Sequence, residues 1–256
     1  MKRILVPTDF SDQAMFATVA AAGLAAKVGA EILLFHVLDE PEDTKELAVK
    51  LDRVLKHSSL AGVTHHYVQT LGDTIEEIAE EKADLIVMGS EGASGLESFF
   101  IGTNAEKVAK KASCPVIIIK SRTDLTRIKK IVFPTNMHKE DEEILGYVKE
   151  LQSFHKAHLH LVKVFDDLIT PESDVKKRLK DYAEFHKIKD YSVKAIPGTD
   201  EADEILEYSE SLNADLIAIA THDRKGLDRI FAGHISGEVI NESRIPIWTK
   251  SLDTPV

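Results

Sequence analysis

Apolar and polar positions along this chain change period in a regular cycle. Ile4 to Val6 is a short β-rich run, Ala14 to Val28 an alanine-rich stretch of helical period, and Ile32 to Val37 a second strand. Asp43-Thr44-Lys45-Glu46 reads as a capping box opening a helix that runs to about Leu60, and a strand follows from Thr64 to Gln69. Asp73-Thr74-Ile75-Glu76 opens a third helix. Asp84 to Met88 is then a strand, Thr103 to Lys111 a helix and Val116 to Ile119 a last strand. Strands that alternate with helices need crossover connections, so each sheet should be parallel with helices on both faces.

The cycle runs twice. Residues 1–39 align without gaps on residues 128–166, so that Ile4, Pro7, Thr8, Leu24, Ala30, Leu34, Val37 and Asp39 recur 127 positions later. Near the end of each half Ala83-Asp84-Leu85-Ile86 recurs as Ala214-Asp215-Leu216-Ile217. Gly95-Leu96, Gly102 and Pro115 recur as Gly226-Leu227, Gly233 and Pro246, now at an offset of 131. The second set of strands falls near Lys130 to Pro134, His158 to Val164, Tyr191 to Ile196, Asp215 to Ala220 and Ile247 to Thr249. Thr170-Pro171 starts the second helix of that half. The expected architecture is therefore α/β, with two tandem open parallel five-stranded sheets in domains 1–124 and 125–256. A short polar linker, Ser121 to Thr126, should leave the two domains docked. The last strand of each half is apolar and falls at a sheet edge, and pairing those two edges would cover both.

Composition narrows the function. Hydrophobic residues make up 43% of the 256 and charged residues 29%, the balance of a globular protein with a real core. A net charge of −11, spread over both halves, repels nucleic-acid phosphates and anionic lipid, so any phosphate binding must rest on local donors. A single cysteine, Cys114, excludes an internal disulfide and a thiolate metal cluster and reads as a small buried hydrophobe. Only a few apolar residues follow Met1-Lys2-Arg3, too few for a signal peptide, and no run approaches membrane-spanning length. These features point to a cytoplasmic protein that engages neither membrane nor nucleic acid.

In an open α/β sheet the ligand crevice lies beyond the carboxyl ends of the strands, where strand order reverses. Three segments of the first half should meet there: Pro7-Thr8-Asp9-Phe10-Ser11, His36-Val37-Leu38 and Met88-Gly89-Ser90-Glu91-Gly92. Downstream, Gly102-Thr103-Asn104-Ala105-Glu106 opens a helix, with Thr103 and Glu106 as a capping pair. Glycines let the backbone approach an oligophosphate, and the N–H groups of the helix start point at it.

The spacing Gly89-x2-Gly92-x9-Gly102-Thr103 resembles the ATP-binding signature of the universal stress protein family. The opening Ile4-Leu5-Val6-Pro7-Thr8-Asp9-Phe10-Ser11 and the closing Cys114-Pro115-Val116-Ile117-Ile118-Ile119 are also similar to that family, and the likeness covers nearly the whole chain as a tandem pair. The resemblance implies a Rossmann-like fold of the adenine nucleotide α-hydrolase type, with ATP and Mg²⁺ as ligands. Asp9 would sit near the ribose and the phosphate-bound metal, and Val37 would contact adenine through its backbone. Gly89, Gly92, Gly102, Thr103 and Asn104 would cradle the phosphates, with Pro7, Thr8 and Met88 flanking them. Two features depart from the pattern: Ala93 stands where many relatives carry arginine, and Glu91 adds negative charge.

The second half departs further. Ala220 replaces the first glycine and Asp223 the second, Gly233 remains, His234 stands for Thr103, and Asn136 for Asp9. Side chains at 220 and 223 crowd the backbone approach and a carboxylate repels phosphate, so this half reads as a structural partner. His158 with His160, and His65 with His66, are incomplete as zinc sites. His222, Asp223, His234 and Ser236 lack the Gly-x-Ser-x-Gly elbow of a hydrolase nucleophile, and Lys107, Lys110 and Lys111 read as a solvated helix face. The expected function is a stress-response regulatory protein, not an enzyme, that binds ATP in its first half, with the last strands of both halves forming an intramolecular pseudo-dimer. A nucleotide-free scaffold or chaperone-like protein is the alternative, slow ATP hydrolysis through Asp9 and a metal is a weaker one, and a further homodimer is left open.

Overall fold

A computed structural model of the chain describes residues 1–38, 44–90, 104–137, 139–166, 168, 170–221 and 229–252, with side chains at all of these except 44, 139–143 and 229–234. The first half runs β1 (Arg3–Pro7), α1 (Asp12–Val28), β2 (Glu31–Leu38), α2 (Thr44–Leu55), β3 (His65–Leu71), α3 (Thr74–Glu80), β4 (Leu85–Gly89), α4 (Asn104–Lys111) and β5 (Val116–Ile119). The second runs β6 (Lys130–Pro134), α5 (Lys139–His155), β7 (His158–Phe165), α6 (Glu172–Phe185), β8 (Tyr191–Pro197), α7 (Glu201–Ser211), β9 (Leu216–Thr221), α8 (Arg229–Glu242) and β10 (Ile247–Ser251). The helix expected to reach Leu60 ends at Leu55 and is followed by a separate 3₁₀ turn over Ser58–Leu60.

All ten strands form one sheet, ordered β3-β2-β1-β4-β5-β10-β9-β6-β7-β8. Pairing within each half is parallel, whereas β5 and β10 meet antiparallel through Ile118 opposite Ile247, Ile117 opposite Trp248 and Val116 opposite Thr249. The two five-stranded sheets are thus continuous, each covering the other's apolar edge. Alternation along the strands divides the core into two layers. Ile4, Val6, Ile117, Ile119 and Trp248 face the layer shared with α1, α2, α5 and α6, and Leu5, Ile118 and Ile247 face the layer shared with α3, α4, α7 and α8.

Several local signals explain why the elements begin and end where they do. Ser11 caps α1 by accepting from the Ala14 N–H at 3.2 Å, and Gly29, with φ of 70°, closes it in the left-handed conformation. Asp73 accepts from the Ile75 and Glu76 N–H groups at the start of α3, and the Glu76 N–H in particular holds its carboxyl below the usual range. The repeated Ala-Asp-Leu-Ile segment has a structural use. Asp84 accepts from the Lys2 and Arg3 N–H groups, as Asp215 does from Lys129 and Lys130, so each aspartate caps the free donors ahead of the first strand of its half. Those two backbone donors, Lys2 first, hold the Asp84 carboxyl below the usual range.

The linker is less polar in effect than its sequence suggests. Leu125 and Ile128 are buried in the core layer below α1 and α5, the Lys27 ammonium donates to the Thr126 carbonyl at 2.9 Å, and Lys27 also lies over the Phe154 ring. Hydrophobic anchoring, more than shortness, docks the halves. Cys114 is buried, and burial pushes its thiol up to about 11. No helix among the described residues is long and apolar enough to cross a membrane.

Two second-half histidines should make the fold sensitive to acid. Burial lowers His155 and His160 to about 4, and neighbouring cations act in the same direction. Between about pH 6.5 and 4 the unfolded chain therefore binds protons that the native chain refuses. Stability should be full above about 6.5 and fall as pH drops towards 4. Urea titrations across that range should show this loss, and His155→Leu should make it shallower; an unchanged pH dependence in the variant would contradict the assignment.

Candidate functional site

Strand order reverses between β1 and β4, since β2 and β3 lie to one side of β1 and β4 and β5 to the other. The carboxyl ends of these two strands open onto a cavity of about 500 Å³, within the range of small-molecule sites. Phe35, Val37, Ile78 and Met88 supply an apolar portion, and Thr8, Asp9, Ser11, Gln13, Thr74, Ser90 and Asn104 supply polar groups. Asp9 is the one carboxylate among the described lining residues, and no lysine or arginine is among them.

Pro7, Thr8, Asp9, Val37, Met88, Gly89 and Asn104 all line the one cavity. Gly92, Gly102 and Thr103 lie outside the described residues, as do Glu91 and Ala93, and in the second half Asp223 and the side chain of His234. Phe35, Thr74 and Ile78 were not anticipated. Their signals were present, Phe35 two residues before Val37 on the same strand face, and Thr74 and Ile78 four apart on α3.

The β1–α1 loop is held by local bonds. The Thr8 hydroxyl accepts from the Phe10 N–H at 3.1 Å, one Asp9 carboxylate oxygen accepts from the Ser11 N–H at 2.9 Å, and Phe10 takes a left-handed φ of 65°. Behind the loop, the buried His36 donates from Nδ1 to the Thr8 carbonyl at 2.6 Å and its ring lies 4.7 Å from that of Phe10. The donor role fixes the tautomer, because a carbonyl only accepts. β1 pairs with β2 no further than Phe35, which leaves the β1 side of Val37 facing the cavity instead of a strand.

Gly89 has a use the sequence did not reveal. A Cβ there would meet the backbone of Gln13 in α1, 2.5 Å from its carbonyl carbon and 2.9 Å from its Cβ. The close approach demanding glycine is therefore at least partly that of α1. Glu106, whose expected capping partner Thr103 lies outside the described residues, is buried and accepts from Lys110 in its own helix and from Asn241 in α8. Of the three lysines in α4, Lys107 and Lys111 are exposed, as expected, with Lys111 pairing with Glu76 at 3.2 Å, whereas Lys110 is half-buried against Glu106.

The second half repeats the scaffold but not the space. Thr135 accepts from the Met137 N–H at 2.9 Å and Met137 has φ of 61°, reproducing the strained loop of Thr8 and Phe10. Yet the equivalent cavity, between Asn136, Val164, Ala220 and Ile235, measures only about 70 Å³. Lys163 and Glu201, counterparts of His36 and Thr74, both line it and form an ion pair at 3.0 Å. Elsewhere in this half His158 bonds Asp190 and His160 bonds Ser192, so these histidines have structural partners. No group of three or more metal-ligating side chains occurs among the described residues.

Comparison with known proteins finds one family twice along the chain. The family model described as the universal stress protein family matches twice, over residues 1–120 and 127–249. A universal stress protein of Methanocaldococcus jannaschii is 35% identical over 139 residues, covering 46% of this chain and 82% of its own length. One from Thermus aquaticus is 35% identical over 135 residues, 46% of this chain and 98% of its own. Among solved structures, a universal stress protein from Archaeoglobus fulgidus superposes with a TM-score of 0.76 at 24% identity, covering 97% of this chain and 96% of that one, a likeness of fold alone.

Alanine at position 89 tests the packing account. Gly89→Ala should destabilise nucleotide-free protein by about 1–3 kcal/mol, the range of overpacking in a well-filled site. Urea denaturation measures it directly, and wild-type stability would contradict the assigned contact with Gln13.

Proposed function

We propose that this chain, which belongs to the universal stress protein family, binds one adenine nucleotide in the first-half cavity and acts in the cytoplasm as a regulatory binding module of the stress response. The observation that carries the reading is the contrast between two copies of one fold, one with a cavity of about 500 Å³ and the other reduced to about 70 Å³. Duplicated scaffolds that differ in this way are expected to differ in binding, and the larger cavity is the one whose flanking sequence keeps Gly92, Gly102 and Thr103.

The lining suits such a ligand. Phe35, Val37, Ile78 and Met88 can take the flat apolar face of a base, and the polar residues of the β1–α1 loop stand beside it for the ribose and phosphates. The first turn of α4, at Asn104 and Ala105, opens at the same cavity and offers backbone N–H donors. With Asp9 the one ionisable group among the described lining residues, oligophosphate charge would need those donors and a bound cation. ATP with Mg²⁺ fits this donor set, the metal falling to Asp9. The described lining offers no histidine or lysine as a general base and no arginine to stabilise a transferring phosphoryl group, which favours retention of the nucleotide over turnover.

The reading is tested on purified protein. Heat denaturation should release adenine nucleotide, resolved by ion-exchange chromatography of the supernatant. Its absence, together with no binding heat on titration with Mg-ATP, would contradict the proposal. Gly102→Val should abolish binding and Gly233→Val should leave it intact; equal losses would contradict the asymmetry.

A further inference from the structure

The seam between the halves is built around a pseudo-twofold axis, and its two sides are no longer alike. At the offset of 131 that relates the ends of the halves, Ile117 corresponds to Trp248, Glu106 to Gly237 and Lys110 to Asn241. Each of these residues meets its own counterpart or the counterpart's neighbour. Ile117 lies directly opposite Trp248 in the antiparallel pairing of β5 and β10. On the α4–α8 face, a Cβ added at Gly237 would sit 2.8 Å from Glu106 Oε1, so the Glu106 carboxylate occupies the space that the missing side chain leaves. That carboxylate is buried, and Asn241 Nδ2 donates to its Oε2 at 3.0 Å from across the seam while Lys110 donates from one turn along its own helix. The Lys120 ammonium adds a donor to the Asn241 carbonyl, and the Thr221 hydroxyl donates to the Ala109 carbonyl at 3.0 Å.

We infer that these substitutions make the seam selective: a first-half edge accepts a second-half edge and rejects a copy of itself. Two first halves joined about the same axis would bring two Glu106 carboxylates to one space that holds a single carboxylate only because position 237 has no side chain. Crowding and the mutual repulsion of buried like charges both oppose that arrangement. Two second halves would set Gly237 against Gly237, leaving the space empty, and Trp248 against Trp248 at a position where one indole, 3% exposed, is packed opposite an isoleucine. Each half therefore contributes one protrusion and one recess, Glu106 and Ile117 on one side, Trp248 and Gly237 on the other. The partner this edge fits is the second-half edge of the same chain, or of a domain-swapped neighbour. Self-association by like edges is disfavoured from both sides.

Exchanging the protrusion and recess across the axis tests this in the intact chain. Because Trp248 is the single tryptophan and lies in the seam, its fluorescence reports the seam directly during urea unfolding. Gly237→Glu alone should shift the folding equilibrium towards the unfolded state by about tenfold or more and redden the native emission. The double variant Glu106→Gly with Gly237→Glu should recover most of that loss, since the new carboxylate would find Lys110 across the seam and Asn241 one turn along its own helix. The recovery is read as a coupling of about tenfold or more between the two sites in a double-mutant cycle. A double variant that fails to fold, or that shows only the sum of the single losses, overturns the inference, as does a Gly237→Glu protein with wild-type stability.

Discussion

The structure depends on three opposed residue pairs between β5 and β10. Without them each half would end in an exposed apolar edge, Val116 to Ile119 in one and Ile247 to Thr249 in the other, with unpaired backbone groups alongside. With them, ten strands become one sheet and both core layers run across the junction, since Ile117, Ile119 and Trp248 belong to one layer and Ile118 and Ile247 to the other. The linker follows the same logic, because Leu125 and Ile128 extend one of those layers. Burial of this kind stabilises in proportion to the apolar area removed from water, so the seam and linker act together as one interface.

Parallel strand order then determines where chemistry can occur. The reversal between β1 and β4 leaves a crevice at their carboxyl ends in the first half, and the same reversal between β6 and β9 leaves one in the second. The turns after β1 and β6 share a left-handed residue, Phe10 in one and Met137 in the other. Among the described residues the two differ in their side chains. His36 bonds the Thr8 carbonyl from behind the loop, whereas its counterpart Lys163 reaches Glu201 beside the cavity. A retained scaffold with a reduced cavity fits a half kept for packing.

Much of this was legible in the sequence. Periodicity located every strand to within a residue or two, because strands buried on both faces read as short apolar runs such as Ile4 to Val6 and Val116 to Ile119. Seven proposed site residues converge on one cavity because they sit at strand or helix ends, where the topology brings them together. What the sequence did not show depends on partners distant along the chain. The pairing of Lys163 with Glu201, the contact between Gly89 and Gln13, and the position of Glu106 against Gly237 and Asn241 are each set by tertiary approach. Leu125 and Ile128 were obscured by their polar neighbours, since two isolated apolar residues carry no period.

In the function proposed above, one fold, present twice, holds one ligand. Calorimetric titration of the intact chain, stripped of nucleotide, with Mg-ATP measures this most directly. The expected stoichiometry is about one nucleotide per chain. Two equivalent sites would contradict the asymmetry between the halves, and no binding at all would contradict the first-half site itself.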